Sequence, residues 1–192
     1  CPGLFTTSSC SGRALLWLGD EPPPKRRGAP SFLGTARTSH EVDGAVELLE
    51  AASGLGTPSG PTVWLRFEPL LLHICCHGWP AARSLVAAAR AAGLKRAAVS
   101  GSGPRLGPSP ARRGNRGGRR AWRVTIEGDE RLEMPLLVGG RHAFPLEDNA
   151  TRAWLEAALR RKFQRNAAKT ARLLAEVIAR AGDSSGDAGD GP

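Results

Sequence analysis

Thr62-Val-Trp-Leu-Arg-Phe-Glu-Pro-Leu-Leu-Leu-His-Ile-Cys-Cys76 is the stretch whose reading decides the fold class. Its first half alternates apolar and larger polar or aromatic residues, which predicts a strand over residues 62–67. Its second half, residues 70–76, is a short apolar run of strand length. Pro69 lies between them without an N–H to give to a ladder, so the chain bends or bulges there. On extended backbone Arg66 and Glu68 share one face and interrupt an otherwise apolar region. Unpartnered charge is costly in such surroundings, so these two meet each other or a ligand. His73, set among leucines and Ile74, reads as a hydrogen-bonded structural histidine, with proton handling as its alternative use.

Outward from this pair, further strands are expected over residues 13–18, 96–99, 122–127 and 132–138, with 127–131 as the turn of a hairpin between the last two. Helices are expected over 41–53 (Ser39 as N-cap, Gly54 as stop), over 80–92 (Pro80 in the first turn, Gly93 as stop) and over about 147–181. In the last, Trp154, Leu155, Leu159, Phe163, Ala167, Thr170, Leu174, Val177 and Ile178 draw an apolar stripe ended by Gly182. Strand pairs interleaved with helices predict an α+β fold: a mixed or antiparallel sheet with packed helices and a long C-terminal helix, not a Rossmann architecture. Residues 1–181 read as a single domain with loop insertions near 21–30 and 101–118, and 182–192 as a disordered tail.

The 192 residues suffice for one domain with a hydrophobic core, and 41% hydrophobic with 23% charged residues argues against wholesale disorder. No apolar run reaches the length needed to cross a bilayer, and the N-terminus lacks the basic and apolar regions of a signal peptide. Cys1, Cys10, Cys75 and Cys76 form no C-x-x-C pair, which disfavours a metal site or a disulfide framework and points to a reducing, cytoplasmic compartment. Lys and Arg number 27 against 18 for Asp and Glu, a net +9 that directs attention to a polyanion, most often nucleic acid.

Thr6-Thr-Ser-Ser-Cys-Ser-Gly-Arg13 packs five hydroxyls and a thiol ahead of an apolar strand. Read as a loop, it offers donors with little bulk and, at Gly12, a close backbone approach, suited to an anion or a polar heterocycle; the bland alternative is a self-capped Ser/Thr turn. Arg161, Arg165, Lys169 and Arg172, spaced 4, 4 and 3 residues apart, stack on one face of the last helix and could follow a phosphate backbone. Asn166 falls on the apolar side of that helix, as a clamp to a loop or a ligand contact. Walker A, H-E-x-x-H, G-x-S-x-G and strand-linked G-x-G-x-x-G patterns are absent.

Phe5-Thr-Thr-Ser-Ser-Cys-Ser-Gly-Arg13 and Trp64-Leu-Arg-Phe-Glu-Pro-Leu-Leu-Leu-His73 resemble, in order and spacing, the two signature blocks of the tRNA wybutosine-synthesizing protein 3 family. Ala91-Ala-Gly-Leu94, Arg131-Leu-Glu-Met-Pro135, and Asn166 with Lys169 and Arg172 agree as well. The resemblance implies an S-adenosylmethionine-dependent methyltransferase acting on the N4 nitrogen of the 7-aminocarboxypropyl-demethylwyosine intermediate, beside the anticodon of phenylalanine tRNA. It implies a pocket of Ser8, Ser9, Cys10, Ser11, Gly12 and Arg13 with Arg66, Glu68 and His73, where Glu68 or His73 assists proton loss and Arg66 holds a carboxylate; His40 matches another family histidine. Only Cys1 to Leu4 precede the first block, so the chain reads as truncated there. The competing readings are a noncatalytic basic RNA-binding module and, last, a hydrolase using Cys10.

Overall fold

The computed structural model describes residues 4–19, 35–54, 60–106 and 119–183. Nine strands and three helices are found among the described residues: β1 (Leu4–Cys10), β2 (Arg13–Leu18), β3 (Thr35–Ser39), α1 (Val42–Ser53), β4 (Val63–Glu68), β5 (Leu71–His77), α2 (Trp79–Ala91), β6 (Arg96–Leu106), β7 (Arg119–Glu127), β8 (Leu132–Val138), β9 (Arg141–His142) and α3 (Asn149–Asp183). They form two antiparallel sheets, so the α+β class holds and no parallel Rossmann sheet is present among them. The chain gathers into two compact units, and the passage from one to the other falls at Cys10/Ser11, at Pro69/Leu70, at Asp129/Glu130 and at Asn166/Ala167 within α3.

The first unit holds the sheet β1-β5-β7-β6, α2 and α3 from Ala167 onward. Register explains its core. Leu72, Ile74 and Cys76 on β5 lie opposite Ile126, Val124 and Trp122 on β7, and paired residues share a face, so one side of the sheet is apolar. Ala82, Leu85, Ala88, Ala89 and Ala92 of the α2 segment, with Leu173 of α3, pack on it. Alanine at these positions lets the helix lie close to the strands, and Arg83, Ser84 and Ala87 fall on its exposed side. Gly93, at φ 86°, ends the helix as expected. The Leu94 N–H reaches the Ala89 carbonyl at 2.9 Å and the Gly93 N–H the Arg90 carbonyl at 3.0 Å, the double bond of a Schellman stop.

The second unit holds the sheet β3-β2-β4-β8-β9, α1 and α3 up to Asn166. Val63, Leu65 and Phe67 alternate inward along β4 and meet Leu48 and Leu49 of α1 and Leu155 and Leu159 of α3. The Phe67 and Phe163 rings pack edge to face, with centroids 4.8 Å apart. Asp148 starts α3 by accepting from the Thr151 backbone N–H at 2.9 Å and from its hydroxyl at 2.8 Å. These hydrogen bonds from Thr151 hold the Asp148 carboxyl below its ordinary value.

Four expectations are corrected. Residues 127–131 do not close a hairpin: β7 pairs with β5 and β6, whereas β8 pairs with β4 and β9. Instead the Gly128 N–H is taken by the Leu70 carbonyl at 2.8 Å, so the turn is tied to the start of β5. Residues 4–10 form a strand rather than a loop, because the β-branched Thr6 and Thr7 suit extended backbone and β5 offers an edge to pair with. Ser39 does not cap α1. Its hydroxyl accepts from the Glu41 N–H at 3.1 Å one step earlier, and Glu41 is the N-cap. In α3, Trp154, Leu174 and Ile178 stay more than half exposed, because each lies about 100° around the helix from the residues that do pack, namely Leu155, Leu173 and Val177. The expected insertion narrows, since 101–106 continues β6; residues 21–30 and 107–118, and the tail beyond 183, lie outside the described residues.

Candidate active site

In the second unit the chain turns at Ser11 and Gly12, and three distant segments hold that turn. The buried Asn166 donates its side-chain amide to the Ser11 carbonyl. His40 Nδ1 lies 3.1 Å from the Gly12 carbonyl, a contact that requires the proton on Nδ1. Gly12 itself has φ 107°, and a Cβ there would stand 2.8 Å from Asn166 Nδ2 and 3.4 Å from the Glu68 carbonyl oxygen. Glycine is therefore required twice over, by backbone conformation and by space. Of the two uses foreseen for Asn166, the structure displays the clamp.

Arg13 follows the turn and lies opposite Glu68 in the β2/β4 ladder. Its Nε donates to Glu68 Oε2 at 2.7 Å, while Arg66 Nε lies 3.5 Å from Glu68 Oε1. Arg66 is also opposite Glu133 of β8, at 3.8 Å. Strand alternation creates this array: Leu65 and Phe67 point into the core, so Arg66 and Glu68 emerge together on the other face. The expectation that Arg66 and Glu68 meet is met, and Arg13 and Glu133 extend the pair into a row of alternating charge. Arg66 is the more enclosed guanidinium, 15% exposed against 40% for Arg13, so Arg13 is the more accessible of the two. Glu133 is assigned no role from sequence, although a polar residue between Leu132 and Met134 on a strand marks the face that Arg66 shares.

In the first unit Ser8, Ser9 and Cys10 lie opposite His73, Leu72 and Leu71, with a register shift between Thr6 and Ser8. Cys10 and His73 thereby belong to the sheet face away from α2, and Ser9 to the other. His73 is also opposite Thr125, whose hydroxyl donates to the Ser100 hydroxyl at 2.9 Å. His73, Thr125 and Ser100 give this face donors and acceptors suited to a polar heterocycle. Cys75 and Cys76 are fully buried, and burial, with Cys75 alongside, pushes the Cys76 thiol up to about 11. Cys10 is the half-exposed thiol of this sheet.

The basic row on α3 divides by partner. Arg161 and Arg165 are exposed, Arg165 lying 3.9 Å from Glu130. Lys169 is bonded to Asp129, and Arg172 donates to the Ala92 carbonyl at 3.3 Å. The hydrogen bond from Lys169 holds the Asp129 carboxyl below its ordinary value. Among the described residues no helix is long and apolar enough to cross a membrane, and no cluster of His, Cys, Asp and Glu could hold a metal ion.

A family model described as Methyltransferase TYW3 matches residues 1–179. No curated protein matches the chain. Among solved structures, the crystal structure of a hypothetical protein from Aeropyrum pernix is 19% identical with a TM-score of 0.62, covering 92% of this chain and 89% of that one. The structure of PH1069 protein from Pyrococcus horikoshii is 20% identical with a TM-score of 0.66, covering 93% and 77%. At these identities the likeness establishes the fold.

Proposed function

The chain belongs to the methyltransferase TYW3 family, enzymes of tRNA modification in wybutosine biosynthesis, and from that premise we propose that it methylates the N4 nitrogen of the 7-aminocarboxypropyl-demethylwyosine intermediate in phenylalanine tRNA, with S-adenosylmethionine as donor. The observation that carries this reading is the Arg13–Glu68–Arg66 row beside the clasped Gly12 turn: the two sequence blocks that carry the family resemblance supply it.

The donor set fits the cofactor and the substrate. Both bring an amino-acid carboxylate, for which the half-exposed Arg13 guanidinium and its neighbour Arg66 are suited, and both bring ring nitrogens or hydroxyls, for which Ser11 and the Gly12 backbone are suited. S-adenosylmethionine, when bound, would supply an electrophilic methyl group on a sulfonium, whose S–C bond breaks to leave a neutral thioether as the methyl passes to nitrogen. The residues hold the acceptor nitrogen in place and take the proton it sheds as the N–C bond forms. Glu68 and His73 are the two candidates for that proton. Glu68 is steered by two guanidiniums, and His73 sits on the polar face of the β5 ladder.

Phenylalanine tRNA carrying the unmethylated intermediate is the assay substrate. Loss of the proton acceptor, in Glu68→Gln or His73→Ala, should lower kcat by about 100-fold, and Arg66→Ala should act mainly on KM. Unchanged turnover in all three removes these residues from the site. Calorimetry should show saturable binding of S-adenosylmethionine; its absence, with tRNA binding retained, selects a noncatalytic RNA-binding module.

A further inference from the structure

The positive charge of this protein is concentrated. Residues 69–126 contain 11 of its 27 Lys and Arg and none of its 18 Asp and Glu, which leaves 16 cations against 18 acids elsewhere, a net of −2. In sequence, the whole surplus therefore lies between Arg83 and Arg123.

A groove of about 500 Å³ opens in the first unit, lined by Trp79, Pro80, Arg83, Ser84 and Ala87 of α2 and by Arg180 of α3. Trp79 is 46% exposed, unusual for so large an apolar side chain. It is not loose: its ring packs edge to face on Trp122 of β7, with centroids 5.0 Å apart. An indole fixed at its edge keeps a ring face for stacking. Arg83 lies one turn along the helix from Trp79. Arg180, at the groove's edge, is ion-paired with Glu176. Ser84 and Ala87 keep the floor of the groove low.

We propose that this groove is an RNA-docking platform, on which an unpaired nucleobase stacks on Trp79 while Arg83 meets a flanking phosphate. It rests on the reading above only in taking tRNA as the RNA. An aromatic face beside cations in a segment devoid of carboxylates is the combination that holds single-stranded RNA without reading its sequence. It lies on other residues than the α3 row, where Lys169 and Arg172 are already engaged within the protein.

The test uses the full chain and an unmodified phenylalanine tRNA transcript, with binding followed by fluorescence anisotropy between about 50 and 200 mM salt. Trp79→Ala should weaken binding about tenfold, and Trp79→Phe should restore most of it. Arg83→Gln should lower the slope of log K against log salt by about 1. Calorimetry with S-adenosylmethionine, unchanged in all three variants, guards against unfolding. Affinity within twofold of wild type for Trp79→Ala, together with an unchanged salt slope for Arg83→Gln, overturns the proposal. So does a sedimentation result in which Trp79→Ala dissociates a dimer without loss of tRNA affinity, since the groove then receives a second copy of the chain. If Trp79→Ala weakens tRNA binding but wild type transfers no methyl group, the enzymatic reading fails and the platform stands. If transfer proceeds with the tRNA KM unchanged in Trp79→Ala, the platform alone fails.

Discussion

The Gly12 turn of the second unit and the His73 strand of the first are built on opposite principles. The turn is held from far away in sequence: Asn166 on the Ser11 carbonyl, His40 on the Gly12 carbonyl, Glu68 on Arg13. His73 is held by backbone pairing on both sides, opposite Ser8, beside a register shift, and opposite Thr125. The first is rigid only while several side chains agree; the second inherits its position from the backbone. The turn should therefore be brittle to single substitutions, and the ladder should answer mainly to changes in its buried core.

The largest effect is expected at Gly12. In Gly12→Ala the methyl group meets Asn166 while alanine is forced to positive φ, at a combined cost of about 3 kcal/mol and a loss of activity of at least about 100-fold. Urea melts and methyl-transfer assays would measure both, and wild-type values for both would show that the turn is not brittle. Next comes Asn166→Ala, at about 1–3 kcal/mol for the lost buried amide. Asn166→Asp should be no better, because a carboxylate would face the Ser11 carbonyl; a stable Asp variant would mean that the clasp contributes little.

The ladder unit should show itself in alkali. The folded-state thiol of Cys76 is raised from 9.0 to about 11, so its contribution is full below about 9. Between those values the unfolded chain releases the proton and the folded one keeps it, so stability falls with rising pH, by at most about 1.4 kcal/mol per unit. Melts of wild type and Cys76→Ala across this range would test it, the variant showing the shallower decline. Smallest is the acid-side effect of Asp129, whose folded-state value lies below the ordinary 3.8 because Lys169 bonds to it. That stability is present above the ordinary value and is lost as pH falls through the lower one. Partial exposure keeps it under about 1 kcal/mol, and Lys169→Met should abolish the difference in acid melts.

Local patterning was legible where one periodicity ruled. The alternation in β4, the Pro80 start and Gly93 stop of α2, and the meeting of Arg66 with Glu68 all follow from residues close in sequence. It misled where an edge or a partner was decisive. Residues 4–10 look like a hydroxyl-rich loop because no local feature announces that β5 will pair with them. Residues 127–131 have the composition of a hairpin turn, yet Gly128 is captured by Leu70 and the flanking strands join different sheets. The apolar stripe of α3 was overcounted, since a periodic pattern does not say how wide a face its neighbours cover.

From the amino-acid order alone came the class of fold, the surplus of positive charge, and the two blocks of side chains whose likeness points to methyl transfer onto tRNA, because each depends on composition or on short-range spacing. Only the three-dimensional arrangement could reveal that Asn166, His40 and Glu68 close around a glycine that tolerates no methyl group, and that an indole beside Arg83 rests on Trp122. Contacts between residues dozens to more than a hundred positions apart are set by strand register and helix packing, and these carry no signature in any local window.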